Sequence, residues 1–365
     1  MILYALFALA IYVGGNAYVF WRLLQTMSCA PQGLRILFII LFWVAAFALF
    51  IALGLRNVEL PSSLHRTLHI VGSVWLVFIL YMVLTTALFD IVHLIIPTFH
   101  GGVMYALCAT GLLLFCGYIN YRQPDVKHIT ITTEKLADGE HLRVVAVSDI
   151  HLGYGTGREA LSKYVKLING ESPDAVVIVG DLIDNSIRPV AEARMEEVLS
   201  TINAPLGVYM VPGNHEYISG LAKCDAYLRH TNIHLLRDSI IKLPHNIELI
   251  CRDDRTNQHR KPLEELASEA DNKSFTIVLD HQPHDIATSN ALGIDLHLSG
   301  HTHHGQVWPL NIITDLMYDQ SHGYRKWSTT HAYVSSGLSL WGPPFRIGTK
   351  SDMAVIDIIG TGTTK

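Results

Sequence analysis

Three histidines fall within four positions in "LSGHTHHGQVWP" (298–309), directly after an apolar run and a glycine. Neutral imidazole is a common metal ligand, but a histidine-rich loop needs partners before it is a site. Four other stretches supply them. "SDIH" offers Asp149 and His151, two positions apart on a turning backbone, so that both can reach one ion; alone, Asp149 would read as a turn residue. "GDLID" offers Asp181 behind a glycine, with Asp184 one turn later and better placed to orient a ligand by hydrogen bonding. "PGNHE" sets an Asn214 side-chain oxygen beside His215 in a tight turn, with Glu216 next, and "LDHQP" offers His281. His301 and His303 are alternate residues whose side chains can point at two adjacent ions.

These residues need elements to position them. Short runs rich in Val and Ile recur at 143–148, 175–180, 207–212, 275–280 and 294–299, each suited to a strand buried on both faces. "AYVSS" and "MAVIDI" are further candidates near the end. Helical patterns at 158–170 and 189–203 lie between them, so the layout is α/β. Each of the first five runs is followed at once by metal-type ligands. In open α/β sheets, ligands bind outside the carboxyl ends of the strands. Five strand ends can thus converge on one site.

In this order the motifs resemble the calcineurin-like metallophosphoesterases, whose pattern D-x-H, G-D-x-x-D, G-N-H-[E/D], H, G-H-x-H is met at every element across nearly all of 140–360. The tail "SSGLSLWGPPFRIG" resembles the membrane-attached bacterial branch of that family, some members of which act on lipid-linked phosphoesters. One local departure is His304, where close relatives usually carry glycine. The resemblance implies a four-layer αββα sandwich with two metals at the strand ends. Asp149, His151 and His303 would hold one ion, Asn214, His281 and His301 the other, and Asp181 would bridge them. Ligation by O and N without thiolate suits Mn²⁺, Fe or Zn²⁺; the family points to Mn²⁺ first. Two such ions lower the pKa of a shared water and neutralise phosphoryl oxygens for in-line attack. His215 would then act at the leaving group, and Glu216 would either orient His215 or be solvated.

Ahead of this domain the chain is oily. Half of its 365 residues are hydrophobic and 16% are charged, against about a quarter in typical domains. Residues 1–121 carry only Arg22, Arg35, Arg56, Glu59, Arg66 and Asp90 as charges. Apolar segments near 2–21, 36–55, 68–96 and 103–121 each meet the roughly 20 residues a membrane span needs, and the first lacks the basic flank of a signal peptide. The expected organisation is four transmembrane helices over 1–121, a linker or edge strand over 122–142, and the metallophosphoesterase domain over 143–365. Arg56, Arg66, Arg122 and Lys127 outweigh Arg22 and Arg35, so the positive-inside rule favours a cytoplasmic soluble domain on a multi-pass protein of the cell membrane. Five cysteines without a CxxC pair form no disulfide framework. A net charge of −5 without a basic stripe argues against nucleic acid, and no GxGxxG follows the first strand.

Asp90 and His93 share a helix face in the third apolar segment. They read either as an intramembrane functional pair or as residues near the bilayer surface. The segments "VWPLNIITDLMYDQSHGYRKW" and "LWGPPFR" mix Trp and Tyr with Arg and Lys, so they read either as membrane-facing loops with Arg346 contacting phosphate or as an aromatic mini-core. The leading substrate expectation is a lipid or lipid-linked phosphodiester or monoester. A soluble nucleotide-type ester, with the helices as anchor or sensor, is the alternative. A catalytically silent metal-binding scaffold comes third, since Asp181 and His215 are both present.

Overall fold

The computed structural model describes residues 2–55, 58 and 60–362; Arg56 and Glu59, which enter the charge reading above, lie outside them. The chain divides into two units, 1–120 with 342–347, and 121–341 with 348–365.

The first unit contains α1 (Ile2–Thr26), α2 (Gln32–Gly54), α3 (Ser62–Ile95) and α4 (Gly102–Tyr121). All four are long and apolar enough to cross a membrane. Helices α2 and α3 meet at backbone distance: a Cβ on Gly72 would lie 2.1 Å from the Leu49 nitrogen, the close approach that small residues permit between apolar helices. Several polar groups here are paired. Trp75 Nε1 donates to Asn16 Oδ1 at 2.9 Å. Asp90 accepts from Tyr18 Oη at 2.6 Å and from Arg22 Nη2 at 2.5 Å, so it is the partner of a basic residue on α1. His93 Nδ1 instead meets the Phe99 carbonyl at 2.7 Å. Residues 342–347 join this unit: Arg346 N donates to Gly117 O, and Asn120 Nδ2 donates to Arg346 O.

The second unit is a sandwich of two six-stranded sheets. Its strands are β1 (Asp125–Ala137), β2 (His141–Val147), β3 (Ala175–Val179), β4 (Val208–Val211), β5 (Ile233–Leu235), β6 (Ser239–Leu243), β7 (Ile247–Cys251), β8 (Phe275–Leu279), β9 (Leu296–Ser299), β10 (Gly323–Trp327), β11 (Thr330–Val334) and β12 (Asp352–Gly362). Sheet orders are β1-β12-β2-β3-β4-β5 and β10-β11-β9-β8-β7-β6. The helices are α5 (Arg158–Gly170), α6 (Arg188–Glu192), α7 (Glu196–Leu199), α8 (Asn214–Ser219), α9 (Leu221–Leu228), α10 (Leu263–Glu269), α11 (Ile286–Ala291) and α12 (Leu310–Met317).

Alternation along the strands builds the layers. Val144 and Ala146 of β2, with Val177 and Val179 of β3, pack between the sheets against Leu249, Ile277, Leu279 and Leu298. Their neighbours Val145, Val147, Val176 and Ile178 face outward under Leu161, Val165 and Ile168 of α5. On the far sheet, Ile250 and Val278 pack under Leu263 and Leu266 of α10. This is the expected αββα order, and it explains why the strands read as unbroken apolar runs: both faces are covered. Burying each such Val, Leu or Ile contributes roughly 1.5–3 kcal/mol.

Several elements differ from the sequence reading, β5 and β10 among the strands it did not predict. The helix expected over 189–203 is broken into α6 and α7, because Arg194 sits at φ 50° and the Ala193 carbonyl accepts from Arg158 Nη1 at 3.0 Å instead of continuing the helix. The hairpin β6–β7 went unread; its turn, Pro244–Asn246, places His245 and Asn246 at φ 60° and 56°.

Candidate metal centre

The ligand-type residues sit just beyond the carboxyl ends of β2, β3, β4, β8 and β9, with Asn214 and His215 opening α8. The loops after β2 and β3 extend the parallel ladder: Asp149 N donates to Gly180 O, His151 N to Asp181 O and Leu152 N to Leu182 O. This pairing holds the backbone in a conformation it would otherwise avoid. Asp149, His151, Asp181, His301 and His303 all have φ between 48° and 70°, a region costing a non-glycine residue roughly 1–2 kcal/mol. Strain of this kind gathers where geometry serves function. Two glycines allow the loops to close. A Cβ on Gly180 would meet His281 Nδ1 at 2.3 Å, and one on Gly300 would meet Asp149 Oδ2 at 2.3 Å.

Each carboxylate is held mainly by one oxygen, although His301 N also reaches Asp149 Oδ1 at 3.2 Å. Asp149 Oδ2 accepts from Ser148 Oγ at 2.5 Å and His301 N at 3.0 Å, while its Oδ1 lies 3.4 Å from His303 Nε2 and 3.8 Å from His151 Nε2. Asp181 Oδ1 accepts from His215 N at 2.8 Å. Its Oδ2 faces both sides, 3.1 Å from His281 Nε2 and 3.9 Å from His151 Nε2. His151 Nε2 and His303 Nε2 approach to 3.0 Å. His281 Nδ1 is 2.8 Å from the Val179 carbonyl; a carbonyl only accepts, so Nδ1 carries hydrogen and Nε2 is the ligand atom.

Three groups of ligand atoms result, Asp149–His151–His303, Asp181–His281–His301 and His151–Asp181–His215, each within 4.8 Å mutual distance. Asn214 Oδ1 is buried with no hydrogen-bond partner. An unsatisfied buried oxygen costs about 1–3 kcal/mol, a cost that a cation beside it would remove. The donors are imidazole nitrogens and oxygens with no sulfur, suited to divalent ions of the Mn, Fe and Zn group. The residues fit a pair of such ions.

The electrostatics are those of a buried acidic pocket. Burial opposes ionisation of Asp149, but His303, His151 and His281 outweigh it and hold the carboxyl well below its usual range. Asp181 is likewise lowered, against burial, chiefly by His281, and Asp184 by His151 and His215. In return, against burial, the carboxylates raise His151 to about 10 and His281 well above its ordinary value. His301 differs: burial and the charge of His281 lower it to about 4, leaving it a neutral donor at physiological pH.

Asp184 Oδ1 lies 3.0 Å from His215 Nδ1 and 3.5 Å from His151 Nδ1. Glu216 has a task the sequence reading did not assign. It is fully buried rather than solvated, and its carboxylate does not orient His215. It accepts from the N–H groups of Asp181, Gly213 and Ile183 at 3.0, 2.7 and 2.9 Å, tying the β3 and β4 loops together. Burial and the Asp181 charge push it up to about 7. Trp341 stands beside His215, ring centroids 6.4 Å apart. Arg346 is fully buried and belongs to the 342–347 segment of the helical unit.

Sequence reasoning missed Ser148 and Arg252. The buried Arg252 guanidinium pairs with Asp280, next to His281, at 2.6 Å and with Asp285 at 2.5 Å. Its signal was an arginine directly after the apolar run "IELIC", which becomes visible only once β7 is read as a strand.

The calcineurin-like phosphoesterase family profile matches residues 142–305. An uncharacterized metallophosphoesterase of Campylobacter jejuni is 31% identical over 263 residues, covering 70% of this chain and 69% of that protein. The chain belongs to the calcineurin-like phosphoesterases. It is a metal-dependent phosphoester hydrolase. A zebrafish transmembrane protein with metallophosphoesterase domain is 36% identical over 69% of this chain and 61% of its own length. A Helicobacter pylori metallophosphoesterase is 33% identical over 66% of each. The likeness thus extends beyond bacteria, and the matched region spans about three fifths to two thirds of these relatives. A dimetal phosphatase structure from zebrafish overlaps only slightly, at TM-score 0.35 and 13% identity over 54% of this chain and 87% of that one. With its four apolar helices, this phosphoesterase is a membrane protein.

Proposed function

We propose that this phosphoesterase hydrolyses a phosphodiester, or a phosphomonoester, on a lipid or lipid-linked substrate. Asp149, His151 and His303 would hold one divalent ion, Asn214, His281 and His301 a second, with Asp181 shared and Mn²⁺ the first choice. Two bound dications supply activation of a water nucleophile and neutralise phosphoryl oxygens. The chain's own residues do the rest. Asp184, facing His215 Nδ1, fixes the imidazole and leaves Nε2 for the leaving-group oxygen, where it donates a proton or stabilises charge. Ser148 and Glu216 hold Asp149 and the β3–β4 loops so that the ligand oxygens need not reorganise. Trp341, beside His215, gives the leaving group an apolar wall.

The observation carrying the lipid assignment is α12, which follows the histidine loop. Ile312, Ile313, Leu316 and Met317 lie on one side of it and are 49%, 52%, 83% and 65% exposed, and no residue of the helix is buried. A short helix with an exposed apolar face suits the headgroup–acyl boundary. The domain is read as cytoplasmic, on the cell membrane, from the distribution of Arg and Lys about the helices. Turnover of a detergent-dispersed lipid phosphodiester against a soluble nucleotide diester tests the proposal. Faster hydrolysis of the lipid is expected; preference for the soluble ester would reduce the helices to an anchor.

A further inference from the structure

The loop after β7, residues 252–262, runs beside the loop that carries His281, and Arg252 N donates to Leu279 O at 3.0 Å where the two part. It holds three arginines, two of them already engaged. Arg252 pairs with Asp280 at 2.6 Å and Asp285 at 2.5 Å, and Arg260 with the same two carboxylates at 3.1 and 2.8 Å. Arg255 is different. It is exposed, and its guanidinium has no ion pair or hydrogen bond with another described residue.

An exposed arginine is ordinary; the way the backbone beneath this one is held is not. Asp254 is fully buried. Its Oδ1 accepts from Thr256 N at 2.8 Å and Thr256 Oγ1 at 2.6 Å, and its backbone carbonyl accepts from Asn257 N at 3.0 Å, closing a turn over 254–257. Gln282 Nε2 donates to Asp254 Oδ2 at 2.9 Å, and Gln282 directly follows His281. Arg255 therefore rides on a fixed turn whose root is bonded to a metal-ligand loop. Two other donors share this rim. His284 is exposed, and its N–H bonds Gln282 O at 2.8 Å, folding the loop back toward His281. Tyr318 directly follows α12, and its ring centroid lies 5.0 Å from that of His284. The Arg255 charge reaches both: burial and then Arg255 lower His284, while burial raises Tyr318 and Arg255 opposes it. A neutral imidazole and a phenol each keep one hydrogen to donate, and neither polar end is taken by another described residue.

We propose that Arg255, with His284 and Tyr318, forms a subsite for a second anionic group of the substrate, a phosphate or carboxylate carried beyond the phosphoryl group under attack. A guanidinium fork matches either oxyanion in bidentate fashion, and the neighbouring carboxylates Asp254, Asp280 and Asp285 are already engaged by donors of the protein. The subsite rests on the phosphoester hydrolase reading and narrows its substrate class to esters with a second negative charge. It is rooted on the His281 loop, whereas His215 is braced by Asp184, so the second anion belongs to the group that stays on phosphorus as the leaving group departs. Tyr318 ends the helix whose apolar face is read as meeting lipid, which makes that group a headgroup.

The test uses the full chain in detergent, loaded with Mn²⁺, and three 4-nitrophenyl phosphodiesters whose second arms have equal length and end in hydroxyl, carboxylate or phosphate. An anionic arm should raise kcat/KM about tenfold over the hydroxyl arm, the lower end for hydrogen bonds to charged groups, mainly through KM, and the ratio should shrink as salt is added. Arg255→Ala, an exposed change that should fold, is expected to bring the ratio close to one. Arg255→Lys keeps charge without the fork and should retain part of it. A gain with phosphate alone, carboxylate alone or both identifies the source of the anion. The matching phosphonates, which are not hydrolysed, give Kd by calorimetry without turnover. Equal kcat/KM for all three arms, or a preference that survives in Arg255→Ala, overturns the subsite; turnover of the hydroxyl ester then leaves the hydrolase reading standing. No turnover of any ester, with tighter binding of anionic phosphonates lost in Arg255→Ala, would instead keep the subsite and remove the hydrolase.

Discussion

Asp184 Oδ1 stands 3.0 Å from His215 Nδ1 in the second unit, both side chains almost entirely buried. The carboxylate also approaches His151, so a single aspartate braces a metal-ligand candidate and the imidazole proposed to serve the leaving group. His215→Ala should therefore retain its metals while kcat falls about 10²–10⁴-fold, the usual worth of a positioned acid–base group. Asp184→Asn keeps a polar partner but loses the charge, and an effect of about 10–100-fold is expected. Metal per chain measured beside kcat decides; unchanged turnover in His215→Ala would remove it from the mechanism.

Metal uptake should release protons. Without ions, the carboxylates raise His151 to about 10 and His281 well above its usual value, so both carry protons at neutral pH that a ligand must give up. Apparent Mn²⁺ affinity should then rise with pH, by about tenfold per unit for each proton displaced. Stability of the stripped protein should run the other way. A raised histidine contributes fully below about 6.5 and loses that contribution as pH climbs through about 10, whereas the lowered carboxylates contribute above about 3.8 and lose it on acidification. Calorimetric metal titrations in buffers of different ionisation enthalpy check the first claim, and thermal melts with chelator check the second. Proton-neutral binding would show that the imidazoles are already deprotonated.

Glu216→Gln should break the tie between the β3 and β4 loops. Three N–H groups converge on the carboxylate, and an amide can accept through only one of its two ends, leaving an N–H facing an NH₂. A loss of about 1–3 kcal/mol is expected for the unsatisfied donor, with weakened metal binding because Asp181 N is one of the three. Denaturant unfolding with and without Mn²⁺ reads both; wild-type values would mean that the loops hold by other contacts.

Gly180→Ala tests the close approach behind His281. The added methyl would lie 2.3 Å from Nδ1, at a backbone φ of 83°, so His281 must leave its bond to Val179 O. Loss of one ion per chain with the fold retained by circular dichroism is expected. Full metal content would show that the loop yields instead.

The site was legible because its ligands directly follow strands that are apolar on both faces, and so carry an unbroken hydrophobic signal. Asp149, Asp181, Asn214, His281 and His301 all sit within three residues of a strand end. What could not be read depends on tertiary contact. The positive φ of Asp149 and His151 follows from pairing with the next loop, not from residue type. Glu216 looks like an exposed turn residue until the β3 loop closes over it. The contacts of His304 with Asp315 and His322 reach 11 and 18 residues onward into a stretch with no strand pattern to flag them. Hairpin β6–β7 was obscured by a turn without glycine.

The lipid assignment makes the sharpest demand on α12. Its apolar side exposes Leu316 and Met317 at 83% and 65%, which does nothing for the domain core, so polar replacements there cost little folding energy. Leu316→Asp with Met317→Ser should therefore leave the melting temperature within about a degree or two, surface changes of this kind usually staying inside ±0.5 kcal/mol. Hydrolysis of a soluble chromogenic phosphodiester should also be unchanged. Turnover of a lipid phosphodiester in vesicles should fall, by about tenfold for each 1.4 kcal/mol of lost interfacial binding, through KM more than kcat. Equal losses on both esters would place the helix within the catalytic machinery. Equal retention on both would mean that the apolar side meets something other than the substrate's lipid phase.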